Sequence, residues 1–156
     1  IFYLLRESEN KLSNFFDKRI KIAFVLFFLT GATGSITALA DVLFPSASFV
    51  EGFIEDFDST SEVLTRLRIL HPFVSTILSI FLFSESNRFK KEFAIDTSII
   101  KVLVIVGVIL GVLNVVSNII LPLSILHLLL ADLLWITYVY KAVEKATLLK
   151  IPQNID

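Results

Sequence analysis

Two imidazoles, His71 in the run RLRILHPF and His127 in ILHLLLADLLW, are the only side chains in this chain suited to bind a metal as neutral nitrogen donors. Arg68 stands three positions before His71 and so shares its helix face one turn away, with Arg66 close behind. A guanidinium pairs with carboxylates through a planar fork of donors, so the arginines suit an anionic group held beside the imidazole. The absence of cysteine excludes disulfides, thiolate nucleophiles, iron–sulfur clusters and zinc–thiolate sites. The setting is apolar: 55% of the residues are hydrophobic and the mean hydropathy is +0.81, beyond ordinary globular composition, so the surroundings are read as lipid.

The elements that carry these residues are long enough to cross a bilayer. Apolar segments at about 20–44, 63–83, 97–120 and 121–143 each suffice, as helices, to span a hydrocarbon layer of ~30 Å. They predict an all-α membrane protein, a single four-transmembrane-helix bundle over 1–156. Pro122 falls in the first turn of the fourth helix, where its missing N–H costs nothing, so the last two spans form a tight hairpin. The loop 45–62 carries Glu51, Glu55, Asp56, Asp58 and Glu62 together with Phe49, Phe53, Ile54 and Phe57, which suit a membrane surface. GATGS in the first span and Gly107-x-x-x-Gly111 in the third admit close approach, by a neighbouring helix or by a flat ligand.

Charge position sets the orientation. Arg6, Lys11, Lys18, Arg19 and Lys21 precede or open the first span; Arg88, Lys90, Lys91 and Lys101 lie around the second connection; Lys141, Lys145 and Lys150 close the chain. By the positive-inside rule both termini are cytoplasmic and the acidic loop faces out, as in a multi-pass protein of the cell (inner) membrane. The net charge of −1, segregated in this way, argues against a nucleic-acid partner. The chain has no methionine, so it lacks at least its first translated residue, and the opening IFYLL is compatible with the stub of an earlier span.

With this topology the second and fourth helices both enter from the outer side, near residues 63 and 121. At 1.5 Å per residue His71 lies at a depth of roughly 12 Å and His127 at roughly 9 Å. Two imidazoles at one level on two helices of a bundle are the arrangement that ligates a haem iron from both sides. The competing reading is hydrogen bonding across helices to Ser, Thr or Asn, for which Asn114, Ser117 and Asn118 are available on the third span. For Arg66 and Arg68 the alternatives are binding haem propionates, snorkelling, or pairing with the acidic loop. Pro72 cannot donate to the Arg68 carbonyl, which predicts a bend beside His71. Asp132, deep in the fourth helix, is expected to be protonated or paired, with Asn114 or with a neighbouring subunit.

Taken together, GATGSITALADVLFPSASF, LTRLRILHPF and ILHLLLADLLW resemble, in that order, the carboxy-terminal half of haem A synthase, the membrane enzyme that oxidises a methyl group of haem O to the formyl group of haem A. The resemblance covers about residues 21–140. It implies two similar four-helix halves: an amino-terminal one hosting haem O as substrate, and a carboxy-terminal one whose haem b iron is held by a histidine pair and relays electrons. His71 and His127 match that pair. The chain departs from the substrate-binding half: Arg68 stands where an acidic residue is usual, His71-Pro72 replaces a His-Arg step, and the outer-loop cysteines are missing. The catalytic residues of the oxidation are therefore not assigned. The chain is expected to act either as a half-length homo-oligomer or beside a missing amino-terminal half, with an electron donor the sequence does not identify. The rival readings are a non-enzymatic b-type cytochrome, carrying electrons or serving as a membrane anchor, and a haem-free transporter or scaffold.

Overall fold

A computed structural model describes residues 17–117 and 120–148. Arg6, Lys11, Asn118, Lys150 and the IFYLL segment, all invoked above, lie outside the described residues. Helix α1 spans Lys18–Leu43 and opens on Asp17, whose carboxylate accepts from the Ile20 N–H at 2.8 Å. Helix α2, Phe49–Phe57, lies within the acidic loop. Its Ser48 cap accepts from the Glu51 N–H at 3.2 Å, and Glu51 reaches back to the Ala47 N–H at 3.0 Å, so the sequence S-x-x-E closes as a variant of the capping box. Helices α3, Val63–Leu67, and α4, Leu70–Phe93, share one apolar stretch; α5 runs Ser98–Val116 and α6 Leu121–Leu148.

Lys18–Leu43, Val63–Phe93, Ser98–Val116 and Leu121–Leu148 are each long and apolar enough to cross a membrane, and among the described residues no strand occurs. The second of these stretches runs on to Phe93 and the last to Leu148, both past the expected ends, because turns rich in polar and charged residues continue the helices beyond the apolar window. The interruption between α3 and α4 falls where Pro72 requires it. The Arg68 carbonyl has no i+4 N–H to accept, and instead takes the His71 N–H at 3.2 Å and the Thr37 hydroxyl at 3.4 Å.

The helices pair as two hairpins, α1 with α3 and α4, and α5 with α6. The hairpins are knitted together where α1 begins, α4 ends, α5 begins and α6 ends, the basic end of the molecule. Ala23, Leu78, Leu82, Phe89, Ile95, Ile100, Val104 and Tyr138 form the core there. Trp135 is wedged between Phe24 and Phe27 at ring distances of 4.6 and 4.9 Å. A polar clasp closes this end: Lys145 binds Asp17, Arg88 binds Glu85 at 2.6 Å, Arg19 reaches Glu85 at 3.0 Å, and Ser86 and Thr97 exchange hydrogen bonds at 2.8 Å. Against the effect of its burial, the Lys145 ammonium and the Ile20 N–H hold the Asp17 carboxyl below its ordinary range. Toward the acidic end the helices present large apolar side chains outward, including Val42, Phe73, Leu121 and Leu128, as a lipid-facing bundle does.

Candidate haem site

His71 sits in the first turn of α4, immediately after the break, and leans on α1. Its ring lies over Gly34: a Cβ added there would stand 3.1 Å from the imidazole Cε1 and 3.2 Å from Nδ1, closer than side chains normally pack. The missing side chain lets Nδ1 reach the Thr30 carbonyl at 3.2 Å, with the Thr33 hydroxyl at 3.5 Å. A carbonyl oxygen can only accept, so Nδ1 carries the hydrogen and Nε2 keeps the lone pair. That is the state of a metal-ligating histidine whose orientation is held from behind.

His127 is mounted in the same way on the other hairpin. It projects from α6 onto α5, where a Cβ at Gly111 would meet its Cε1 at 3.1 Å. The carbonyl of Gly107 lies beside the ring, but outside good hydrogen-bond geometry, so Nδ1 is buried without a hydrogen-bond partner among the described residues. Thr30 precedes Gly34 by four residues and Gly107 precedes Gly111 by four, so each ring rests on a glycine and faces the carbonyl one turn earlier.

Hydrogen bonding across helices to a threonine does occur at His71, through the Thr33 hydroxyl, whereas Asn114 and Ser117 of the third span are engaged elsewhere. Asn114 accepts from the Ser124 hydroxyl at 2.9 Å, closing the α5–α6 junction, and the Ser117 hydroxyl donates to the Leu113 carbonyl at 2.6 Å. Of the alternatives for Asp132, pairing with Asn114 does not occur. Asp132 is exposed on α6, because helix rotation turns that face away from α5, and it makes no hydrogen bond or ion pair among the described residues.

Arg68 takes the acidic-loop alternative. Its Nε donates to Asp56 at 2.8 Å, Nη1 to Asp41 at 3.1 Å, and Nη2 approaches Glu55 and the Gly52 carbonyl, both at 3.4 Å. Burial pushes the Asp56 carboxyl above its ordinary value even with that guanidinium beside it. Arg66 is exposed on α3, with no ion pair among the described residues. The clamp joins residues 41, 46, 52, 55, 56 and 68; arginine among carboxylates hinted at it in the sequence, but neither the partners nor the Thr30 and Thr33 contacts could be read there.

The arrangement fits a macrocycle-bound metal. Two imidazoles are too few donors to complete a coordination sphere, and among the described residues no cluster of three or more His, Asp or Glu side chains could hold an ion alone. A porphyrin supplies the missing equatorial nitrogens and leaves two axial positions. The glycine cradles, the lone pair on His71 Nε2 and the unpartnered buried Nδ1 of His127 agree with that donor set.

Fold and site together define a four-helix membrane bundle carrying a matched histidine pair. A sequence profile of the COX15-CtaA family, described as cytochrome oxidase assembly protein, matches residues 5–139, and the chain belongs to that family, which acts in haem A biosynthesis. The chain is also 29% identical over 125 residues to the protoheme IX farnesyltransferases of two strains of Thermus thermophilus. These matches cover 75% of this chain but 20% of each relative, so the chain spans about a fifth of the length of the curated relatives it matches. No solved structure matches the chain.

Proposed function

We propose that this chain binds haem b through His71 and His127 and serves the haem A synthase reaction, the oxidation of the haem O methyl group to the formyl group of haem A, as its haem b-holding half. When bound, the haem supplies a one-electron relay. The chain's own residues grip and orient it. The Thr30 carbonyl fixes the His71 ring, Gly34 and Gly111 set how far each imidazole projects, and the exposed Arg66 pairs with a propionate. Arg68 acts one step back, holding the loop against the start of α4. The basic ends of the helices face the cytoplasm across the inner membrane, and haem O is handled with a second copy or an amino-terminal half. The names of the Thermus relatives, which specify protohaem IX, agree with a haem-handling role.

The observation that carries the reading is the matched mounting of the histidines, each on a glycine and facing the carbonyl four residues earlier. His71→Ala and His127→Ala are each expected to abolish the low-spin bis-imidazole absorption spectrum of the purified protein. Unchanged spectra in both would exclude the ligands. A specific observation favours a second reading, a b-type cytochrome without catalysis of its own: Arg68, at the place where the resemblance implies an acidic residue in the substrate-binding half, is wholly engaged in ion pairs. Conversion of added haem O to haem A by the purified protein separates the two.

A further inference from the structure

We infer that α2 is a membrane-docking helix, lying on the surface of the leaflet at the acidic end with its apolar face among the lipids. None of its nine residues is buried, although five are large hydrophobics: Phe49, Val50, Phe53, Ile54 and Phe57. Their spacing, i, i+1, i+4, i+5 and i+8, forms one stripe along the helix. Three rings make its ridge, with Phe49–Phe53 centroids at 6.5 Å and Phe53–Phe57 at 5.2 Å.

The opposite side is bound to the protein. Glu55 accepts from Ser46 at 2.6 Å, Asp56 is held by Arg68, and Gly52 lies so close to Ser46 that an added Cβ would stand 3.1 Å from its hydroxyl. These attachments fix the roll of the helix, so the phenylalanine stripe cannot turn inward.

Two features of the chain point to lipid rather than to a protein partner. Segments 44–48 and 58–62 tie the ends of α2 to the end of α1 and the start of α3, where two membrane-spanning stretches terminate. Val42 and Leu43 at the end of α1 and Val63 at the start of α3 are exposed as well, so apolar side chains flank α2 in the chain on both sides. The helix carries no lysine or arginine, so docking is apolar and suits a zwitterionic leaflet, unlike the basic amphipathic helices that seek anionic lipids. Because Arg68 couples α2 to the turn that begins α4, the seated helix steadies the backbone next to His71.

The cysteine-free chain permits a direct test. Phe53→Cys, Ile54→Cys and Ser59→Cys are each spin-labelled in the full chain and reconstituted in phosphatidylcholine vesicles, and accessibility to oxygen and to a nickel chelate is read by power saturation. Labels at 53 and 54 are expected to be oxygen-accessible and several-fold more shielded from nickel than the label at 59, with no change in concentrated salt. Nickel accessibility at 53 and 54 equal to that at 59 would place the stripe in water. Shielding from both reagents would place it against protein, and either result overturns the inference.

Discussion

In the first hairpin His71 rests on Gly34 and donates to the Thr30 carbonyl; in the second His127 rests on Gly111 beside the Gly107 carbonyl and donates to nothing described. The common part follows from helix geometry. Removing a side chain at one position exposes the carbonyl one turn earlier, since side chains lean toward the helix N-terminus and would otherwise cover it. The difference is chemical: the protein sets the tautomer of His71, whereas that of His127 is left to whatever engages its other nitrogen. The first hairpin also carries a second layer of support, in which Arg68 ties α2 and Asp41 to the break just before His71. Among the described residues the second hairpin shows no such clamp beside His127, and the Ser124–Asn114 bond joins its two helices at their turn.

The largest asymmetry should come from Arg68. Arg68→Leu leaves Asp41, Asp56 and Glu55 without their cation at a largely buried site, and truncating such a pair costs about 3–5 kcal/mol. Thermal unfolding in detergent should fall accordingly, with α2 becoming sensitive to protease, while Arg66→Leu should leave stability nearly unchanged. Equal losses would show that the clamp is not specific to Arg68.

The glycines come next. Gly34→Ala and Gly111→Ala each place a methyl 3.1 Å from an imidazole carbon that must then shift, an overpacking cost of about 1–3 kcal/mol. Gly34→Ala should cost more, because the shift also weakens the Thr30 hydrogen bond, worth about 1 kcal/mol. Denaturant unfolding of the two variants measures the difference, and the reverse order would contradict the contrast between the histidines.

The smallest effect lies at the basic end. The Asp17 carboxyl is held below its ordinary value in the folded protein, so the stability it contributes is present above that ordinary value, 3.8, and is lost as pH falls through the lowered native value. Asp56 runs the opposite way: burial raises it, so protonating it on acidification relieves a cost in the clamp. Asp17→Asn should remove about 1 kcal/mol near neutral pH and flatten the loss of melting temperature in acid. A variant that keeps the wild-type acid slope would mean that other carboxylates govern it.

Much of this was legible along the chain. Helix number and approximate length follow from apolar runs, because the transfer of a residue into lipid depends mainly on the residue itself. The bend beside His71 follows from Pro72, whose missing N–H acts on the carbonyl of one known residue, Arg68. The phenylalanines of the acidic loop pointed to a segment with its own apolar face. Asp132 shows where such reasoning ended: its place in an apolar helix was plain, but the face on which it lies depends on how α6 rolls against α5. Asn114 was assigned to the histidines or to Asp132 and instead binds Ser124, a contact set by the turn between helices.

The sequence by itself determined four helices of membrane-spanning length, their order, and two imidazoles carried on the second and last of them, because these rest on the local properties of each residue and its neighbours in the chain. Only the tertiary structure decided that each imidazole lies against a glycine, that Arg68 serves the acidic loop, and that Asp132 faces outward. Those outcomes depend on the roll and crossing of packed helices, which many side chains set together and no single stretch encodes.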